Sequence, residues 1–288
     1  MPALNRRRLG RTELMVTELG LGAMDTPTSP EGAATLAAAE DAGINFVDTA
    51  RDYAGSEFLI GEHVRAQQLA SQQLQSQQPG SRGGTQFLLA SKTFSHNVNG
   101  SQRDVDRSIA TLGVERIPLY QLHDISTPEA WAEARDEEAG ALAGLKIAQF
   151  RGLIDHIGVS CHNTALLEEL ITSGEFDTVM LEYSAFFPET APLIELAVEH
   201  DVGVIVMRPV GGSGRTSAMR TAIAGGYEGP LTPANLLRYV LAHPGVSVAI
   251  PGARYPSRIL ENVATATEAP PMTEAERAEL EAEAARLY

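Results

Sequence analysis

The chain has 288 residues, 43% of them hydrophobic, and its 37 acidic and 22 basic side chains give a formal net charge of -15. That length can bury one large core, and the acidic balance excludes the basic stripe of a nucleic-acid binder and leaves any anionic ligand to local arginines. A single cysteine, Cys161, excludes an internal disulfide framework, and no apolar run is long enough to span a membrane.

The leading MPALNRRRLGRTEL has basic residues without an apolar stretch behind them, so it does not read as a secretory signal, and a cytoplasmic location is expected. The segment LNRRRLGRTELMVTELG predicts a hairpin turning at Gly10, Arg11 and Thr12. Eight short apolar runs then follow: TELGLG (17–22), INFVD (44–48), QFLLAS (86–91), PLYQLH (118–123), IDHIGVS (154–160), DTVMLE (177–182), GVIVM (203–207) and VSVAI (246–250). Each has strand length and lacks helical periodicity, as strands buried on both faces do.

Helical segments lie between these runs. SPEGAATLAAAEDAG opens with Ser29 as N-cap and Pro30 in the first turn, and closes at Gly43. TALLEELITSG and APLIELAVEHD place apolar residues at i, i+3 and i+4. TPANLLRYVLAHPG starts at Thr232 and Pro233 and stops at Pro244 and Gly245, and the last segment opens with a capping box from Thr273 to Glu276. Residues 69–85, rich in Gln, Ser and Gly, read as a flexible surface insertion in which the second helix ends. Eight strands alternating with helices predict an α/β chain forming one (β/α)8 TIM barrel domain over 1–288, a fold of about 250 residues, with the N-terminal β-hairpin at its bottom. A doubly wound open sheet is the competing architecture.

A barrel enzyme works at the C-terminal ends of its strands. Successive runs end in Asp48, Lys92, His123, Ser160 and Glu182, and Tyr53 follows Asp48 in a loop. Singly, each has an ordinary reading: Asp48 as a cap, Tyr53 as a packed rim aromatic, Lys92 as a snorkelling side chain, His123 as a hydrogen-bonded core imidazole. Together they make a proton donor beside a carbonyl. Asp48 would hold Lys92, Lys92 would lower the phenol pKa of Tyr53, and His123 would orient the substrate oxygen. Met24 and Phe94 fall just past strands one and three, where pocket walls lie. Trp131 lies in the loop or helix after His123, either against the substrate or packing a helix. Cys161 beside His162 lacks an acyl-transfer constellation, and the seven histidines lack metal-ligand spacing, so no metal is expected.

The stretch DTARDYAGSE resembles the motif of the aldo-keto reductases that carries the aspartate and tyrosine of their catalytic tetrad. LASKT around Lys92, LYQLH ending at His123, LGRTELMVTELGLGAM, IDHIGVSCHN and IPGARYPSRILENV are also similar, so the likeness runs from about residue 8 to about 265. It implies catalytic roles for Asp48, Tyr53, Lys92 and His123. It also implies NADPH (NADH possible) bound extended across the barrel top, in keeping with the lack of a G-x-G-x-x-G opening a helix. Ser160 would face the nicotinamide carboxamide. Cys161 and Met180 take the places of an amide-bearing Asn and Gln, with His162 or Asn163 as substitutes. Met207 takes the place of a stacking aromatic. Arg208, Val210 and Gly212, around the GGSG run, join the cofactor contacts near the pyrophosphate. At the adenosine end Gly252 and Ala253 replace a Lys-Ser pair, leaving Arg254 and Arg258 for a 2′-phosphate and Glu261 and Asn262 for the adenine.

The resemblance thus implies an NADPH-dependent oxidoreductase that reduces small aldehydes or ketones to alcohols, with Tyr53 as proton donor, as a monomer or small homo-oligomer. A non-catalytic nucleotide-sensing or partner-binding protein on the same scaffold is the alternative. A barrel lyase or isomerase without nicotinamide is the third class.

Overall fold

The computed structural model describes residues 3–77, 85–211, 217, 221, 222 and 224–287. An antiparallel hairpin comes first, β1 (Arg6–Arg8) with β2 (Met15–Thr17). Eight parallel strands follow: β3 (Leu21–Gly22), β4 (Phe46–Asp48), β5 (Leu88–Thr93), β6 (Ile117–Leu122), β7 (Ile154–Ser160), β8 (Thr178–Glu182), β9 (Gly203–Met207) and β10 (Val248–Ile250). They pair in sequence order, and the first and last are joined by parallel bridges, Leu19 to Ala249 and Gly22 to Gly252. The sheet is therefore a nearly closed barrel and not the open doubly wound alternative.

Outside it lie α1 (Pro30–Asp41), α2 (Ser56–Gln77), α3 (Val98–Leu112), α4 (Pro128–Ala134), α5 (Ala141–Phe150), α6 (Thr164–Thr172), α7 (Ala191–Glu199), α8 (Pro233–Leu241), α9 (Pro256–Glu268) and α10 (Glu274–Leu287). Their starts follow the local chemistry of the caps. Ser29 Oγ accepts from the Gly32 amide, and Thr232 Oγ1 from the Asn235 amide. Thr273 and Glu276 bond reciprocally as a capping box. α2 ends at Gln77, inside the Gln-rich stretch, and the rest of the expected insertion (78–84) lies outside the described residues.

Strand residues alternate between two cores. On β9, Val204 and Val206 face the helices while Ile205 and Met207 face the barrel interior. The interior is filled by Phe46, Ala90, Leu119, Met180 and Val248, and the hairpin adds Leu9 and Val16 from below. The hairpin closes the N-terminal end. Gly10 sits at φ 52°, and a Cβ there would lie 2.1 Å from the Gly203 nitrogen at the start of β9. The first barrel strand is shorter than the 17–22 run suggests. Thr17 belongs to the hairpin, where its amide is held by Asn45 Oδ1 at 2.6 Å; Leu19 and Gly20 meet the last strand at Ala249, and the pairing with β4 is limited to Leu21–Gly22. Among the described residues no helix is long and apolar enough to cross a membrane.

Candidate active site

β4 ends in Asp48, and the chain then turns sharply. The Thr49 amide donates to Ala90 O at 2.8 Å and the Arg51 amide to Lys92 O at 3.2 Å, while Tyr53 N closes a turn on Ala50 O. Arg51 pairs with Glu57, and Glu57 Oε1 accepts from Ser91 Oγ at 2.7 Å, so the tyrosine loop is tied to the strand that carries Lys92. Lys92 is wholly buried; its Nζ donates to Asp48 Oδ2 at 2.6 Å and to Thr49 O at 2.8 Å. Gln121 Nε2 donates to the other Asp48 oxygen at 3.2 Å. Both Asp48 oxygens and two of the three Lys92 N–H groups are therefore matched, as burial of charge favours. Burial pushes the Asp48 carboxyl up and the Lys92 ammonium down, and their mutual attraction opposes both shifts.

The tetrad assembles at one mouth of the barrel. Tyr53 Oη lies 3.4 Å from His123 Nε2, with the rings edge to face, and Lys92 Nζ is 4.9 Å from the Tyr53 ring centre. Phe94 lies against His123 with ring centres 3.8 Å apart. The His123 pKa is held down to about 3, first by burial and then by the nearby Lys92 and His162 charges, so the imidazole is neutral at physiological pH. The Tyr53 hydroxyl is not acidified as the sequence suggests. Burial and the Asp48 charge raise its pKa, opposed by Arg208. Desolvation comes first, and the carboxylates of Asp48, Asp52 and Asp124 add to it, outweighing the Arg208 charge. Tyr53 therefore keeps its proton at neutral pH. Such a site can present a phenolic proton and a neutral imidazole to one carbonyl oxygen.

Ser160 ends β7, and its Oγ accepts from the Asp124 amide at 2.8 Å. Cys161 is buried, donates to Asn163 O, and burial pushes its pKa up to about 11, so it stays a thiol. Met180 is packed in the barrel interior, and Met207 sits in the same interior cluster at its upper layer. Arg208 follows in a left-handed conformation (φ 53°); its Nη1 donates to Glu182 Oε1 at 2.7 Å, an oxygen that also meets His162 Nδ1 at 2.6 Å. Gly212 lies outside the described residues. Met24 is exposed. Trp131 is a correction: α4 buries it in the outer core, its Nε1 donating to Glu169 Oε1 at 2.7 Å and its ring against Phe176, so it packs helices rather than lining the mouth. Gln121 was missed by inspecting strand ends alone. The two-residue spacing to His123 puts both on one face of the strand, which is the signal that could have found it.

A cavity of about 720 Å³ gathers Val210, Gly252, Arg254, Arg258, Glu261 and Asn262, all expected cofactor contacts, from the ends of β9 and β10 and from α9. The Tyr255 N-cap of α9 makes no side-chain capping bond; Pro256 has no N–H and the Arg258 amide donates to Tyr255 O, so of the first three positions only the Ser257 amide is left for an anion. Two guanidiniums beside a helix N-terminus, in a cleft of this volume, fit the adenosine phosphate end of a nicotinamide dinucleotide.

A (β/α)8 barrel with a phenol, an imidazole and a buried ammonium–carboxylate pair at its strand ends, and an arginine-lined cleft alongside, fits a barrel oxidoreductase dependent on NAD(P)H. Comparison with known proteins agrees. The chain belongs to the Aldo/keto reductase family, which residues 18–284 match. It is 27% identical to the uncharacterized oxidoreductase YqkF of Bacillus subtilis, over 91% of each chain. Its fold is that of the holo form of an aldo-keto reductase from Bacillus halodurans (23% identity, TM-score 0.74, 97% of this chain and 96% of that one). It is similarly that of an aldo-keto reductase from Klebsiella pneumoniae in complex with NADPH (22% identity, TM-score 0.69, 98% of this chain and 95% of that one).

Proposed function

We propose that the protein reduces an aldehyde or ketone to the alcohol with NADPH, Tyr53 giving the proton. The observation that carries this is the Tyr53 hydroxyl lying 3.4 Å from the neutral His123 imidazole, above a buried Asp48–Lys92 pair. The family's NADPH chemistry, and the NADPH in the Klebsiella structure, support the cofactor.

The nicotinamide supplies a hydride when bound. Arg254, Arg258 and Asn262 would hold the adenosine end, with Gly252 leaving room for it, and Ser160 would hold the nicotinamide end. Tyr53 and His123 bind the carbonyl oxygen together. As negative charge develops there, Tyr53 Oη releases its proton to it, and the phenolate left behind is stabilised by the cations beside it, Lys92 and Arg208. Asp48 and Gln121 keep Lys92 aimed under the phenol, and the Arg51–Glu57–Ser91 tether keeps the loop in place.

Tyr53→Phe keeps the ring and removes the proton. Turnover of a carbonyl panel should fall about 10²–10⁴-fold, while the NADPH dissociation constant stays within about two-fold. Full turnover in this variant would refute Tyr53 as the acid. Tight NADPH binding by the unmodified protein, with no reduction of any carbonyl, would favour the nucleotide-sensing alternative.

A further inference from the structure

Among the described residues, four charged side chains line the 720 Å³ cavity: Asp25, Arg254, Arg258 and Glu261. Their formal charges cancel, in a protein whose net charge is already -15. Each guanidinium faces a carboxylate. Arg254 Nη2 lies 3.5 Å from Asp25 Oδ1, and Arg258 Nη1 donates to Glu261 Oε2 at 2.6 Å. The pairs differ in origin. Arg258 and Glu261 are neighbours on the exposed face of one helix. Asp25 comes from the opposite lip of the cleft, at the end of the 3-10 turn Ala23–Asp25 that follows β3.

The two lips are fixed to each other. Gly22 pairs with Gly252 across the barrel seam, and Thr26 Oγ1 donates to Ala253 O at 2.9 Å. Asp25 reaches over Gly252, where a built Cβ would lie 3.5 Å from Asp25 Oδ2. The seam pairing and the Thr26 side-chain bond therefore place the Asp25 segment against the strand end that leads into Arg254.

Resting on the cofactor reading above, we propose that Asp25 sets the choice between NADPH and NADH by competing with the 2′-phosphate of NADPH for Arg254. The two cofactors differ only in that phosphate, a group carrying roughly -1.5 to -2 charges. A guanidinium offers a phosphate its planar fork of donors. To use Arg254, the phosphate must displace a carboxylate and then sit near its negative charge. NADH, with a hydroxyl there, meets neither demand. The Asp25–Arg254 pair is exposed, so its competition is weak and salt-sensitive, a matter of several-fold in affinity.

The test is equilibrium binding. Purified wild-type protein and Asp25→Asn are titrated with NADPH and NADH by calorimetry at low and high salt. The same titrations are repeated with 2′,5′-ADP and 5′-AMP. Asp25→Asn keeps the side-chain shape and removes the charge. The expected result is a roughly three- to five-fold fall in the NADPH dissociation constant, with NADH within about 1.5-fold. The gain should shrink as salt rises and vanish when Arg254→Gln is added. The 2′,5′-ADP to 5′-AMP ratio should move as the cofactor ratio does. If both cofactors shift alike, or neither shifts, Asp25 does not discriminate and the proposal is overturned. That outcome differs from failure of the underlying reading, in which the wild-type protein binds neither cofactor.

Discussion

At the scale of single residues, burial decides which proton sits where. His123 is held to a pKa of about 3, against roughly 6.5 for a solvated imidazole. In the window between, the unfolded chain binds a proton that the native state refuses. Stability carried by the neutral His123 is thus present above about pH 6.5 and lost as pH falls toward 3. Thermal melts from pH 7 to pH 4 should show wild type losing more stability on acidification than His123→Asn. Parallel curves would mean that the imidazole is not buried in solution. The same shift keeps His123 uncharged during catalysis, so the pH profile of carbonyl reduction should lack a histidine inflection near 6.5. Tyr53 is the counterpart: its raised pKa keeps the phenol protonated, as the proposed proton donor must be.

At the scale of elements, the helices do structural work that resembles site chemistry in the sequence. Trp131 is the instance. It follows His123 closely in sequence, yet α4 turns its indole onto Phe176 and Glu169. Trp131→Phe should cost about 1–2 kcal/mol of stability through the lost hydrogen bond and altered packing. The KM for carbonyl substrates should stay unchanged; a raised KM would return Trp131 to the pocket wall. The caps at Ser29, Thr232 and Thr273 were legible because capping is a local contest between one side chain and the nearest free amides. The true extent of β3 was not, because Asn45, 28 residues away, holds Thr17 outside the barrel.

At the scale of the whole molecule, closure at two places makes the barrel. The seam joins β3 to β10, and the hairpin fills the floor with Leu9 and Val16. Gly10 is where the floor meets β9. Gly10→Ala combines a left-handed backbone with an overlap on the Gly203 nitrogen. It should destabilise by about 2–4 kcal/mol in denaturant unfolding. Cofactor affinity measured below the transition should be unaffected, because the site is at the other end. A neutral result would mean that the hairpin can shift away from the floor.

By itself the sequence determined the order of eight strands and their helices, the caps, and the placing of Asp48, Lys92 and His123 at or just past strand ends with Tyr53 in the loop after the first of them. Those features follow from local periodicity and from short motifs, where the interacting groups are neighbours in the chain. Tertiary structure alone decided the sign of the Tyr53 shift, the role of Gln121, the placing of Trp131, and the pairing of Asp25 with Arg254. Each depends on charges and surfaces brought together from distant segments, and the field at a buried group is set by everything that folding packs around it.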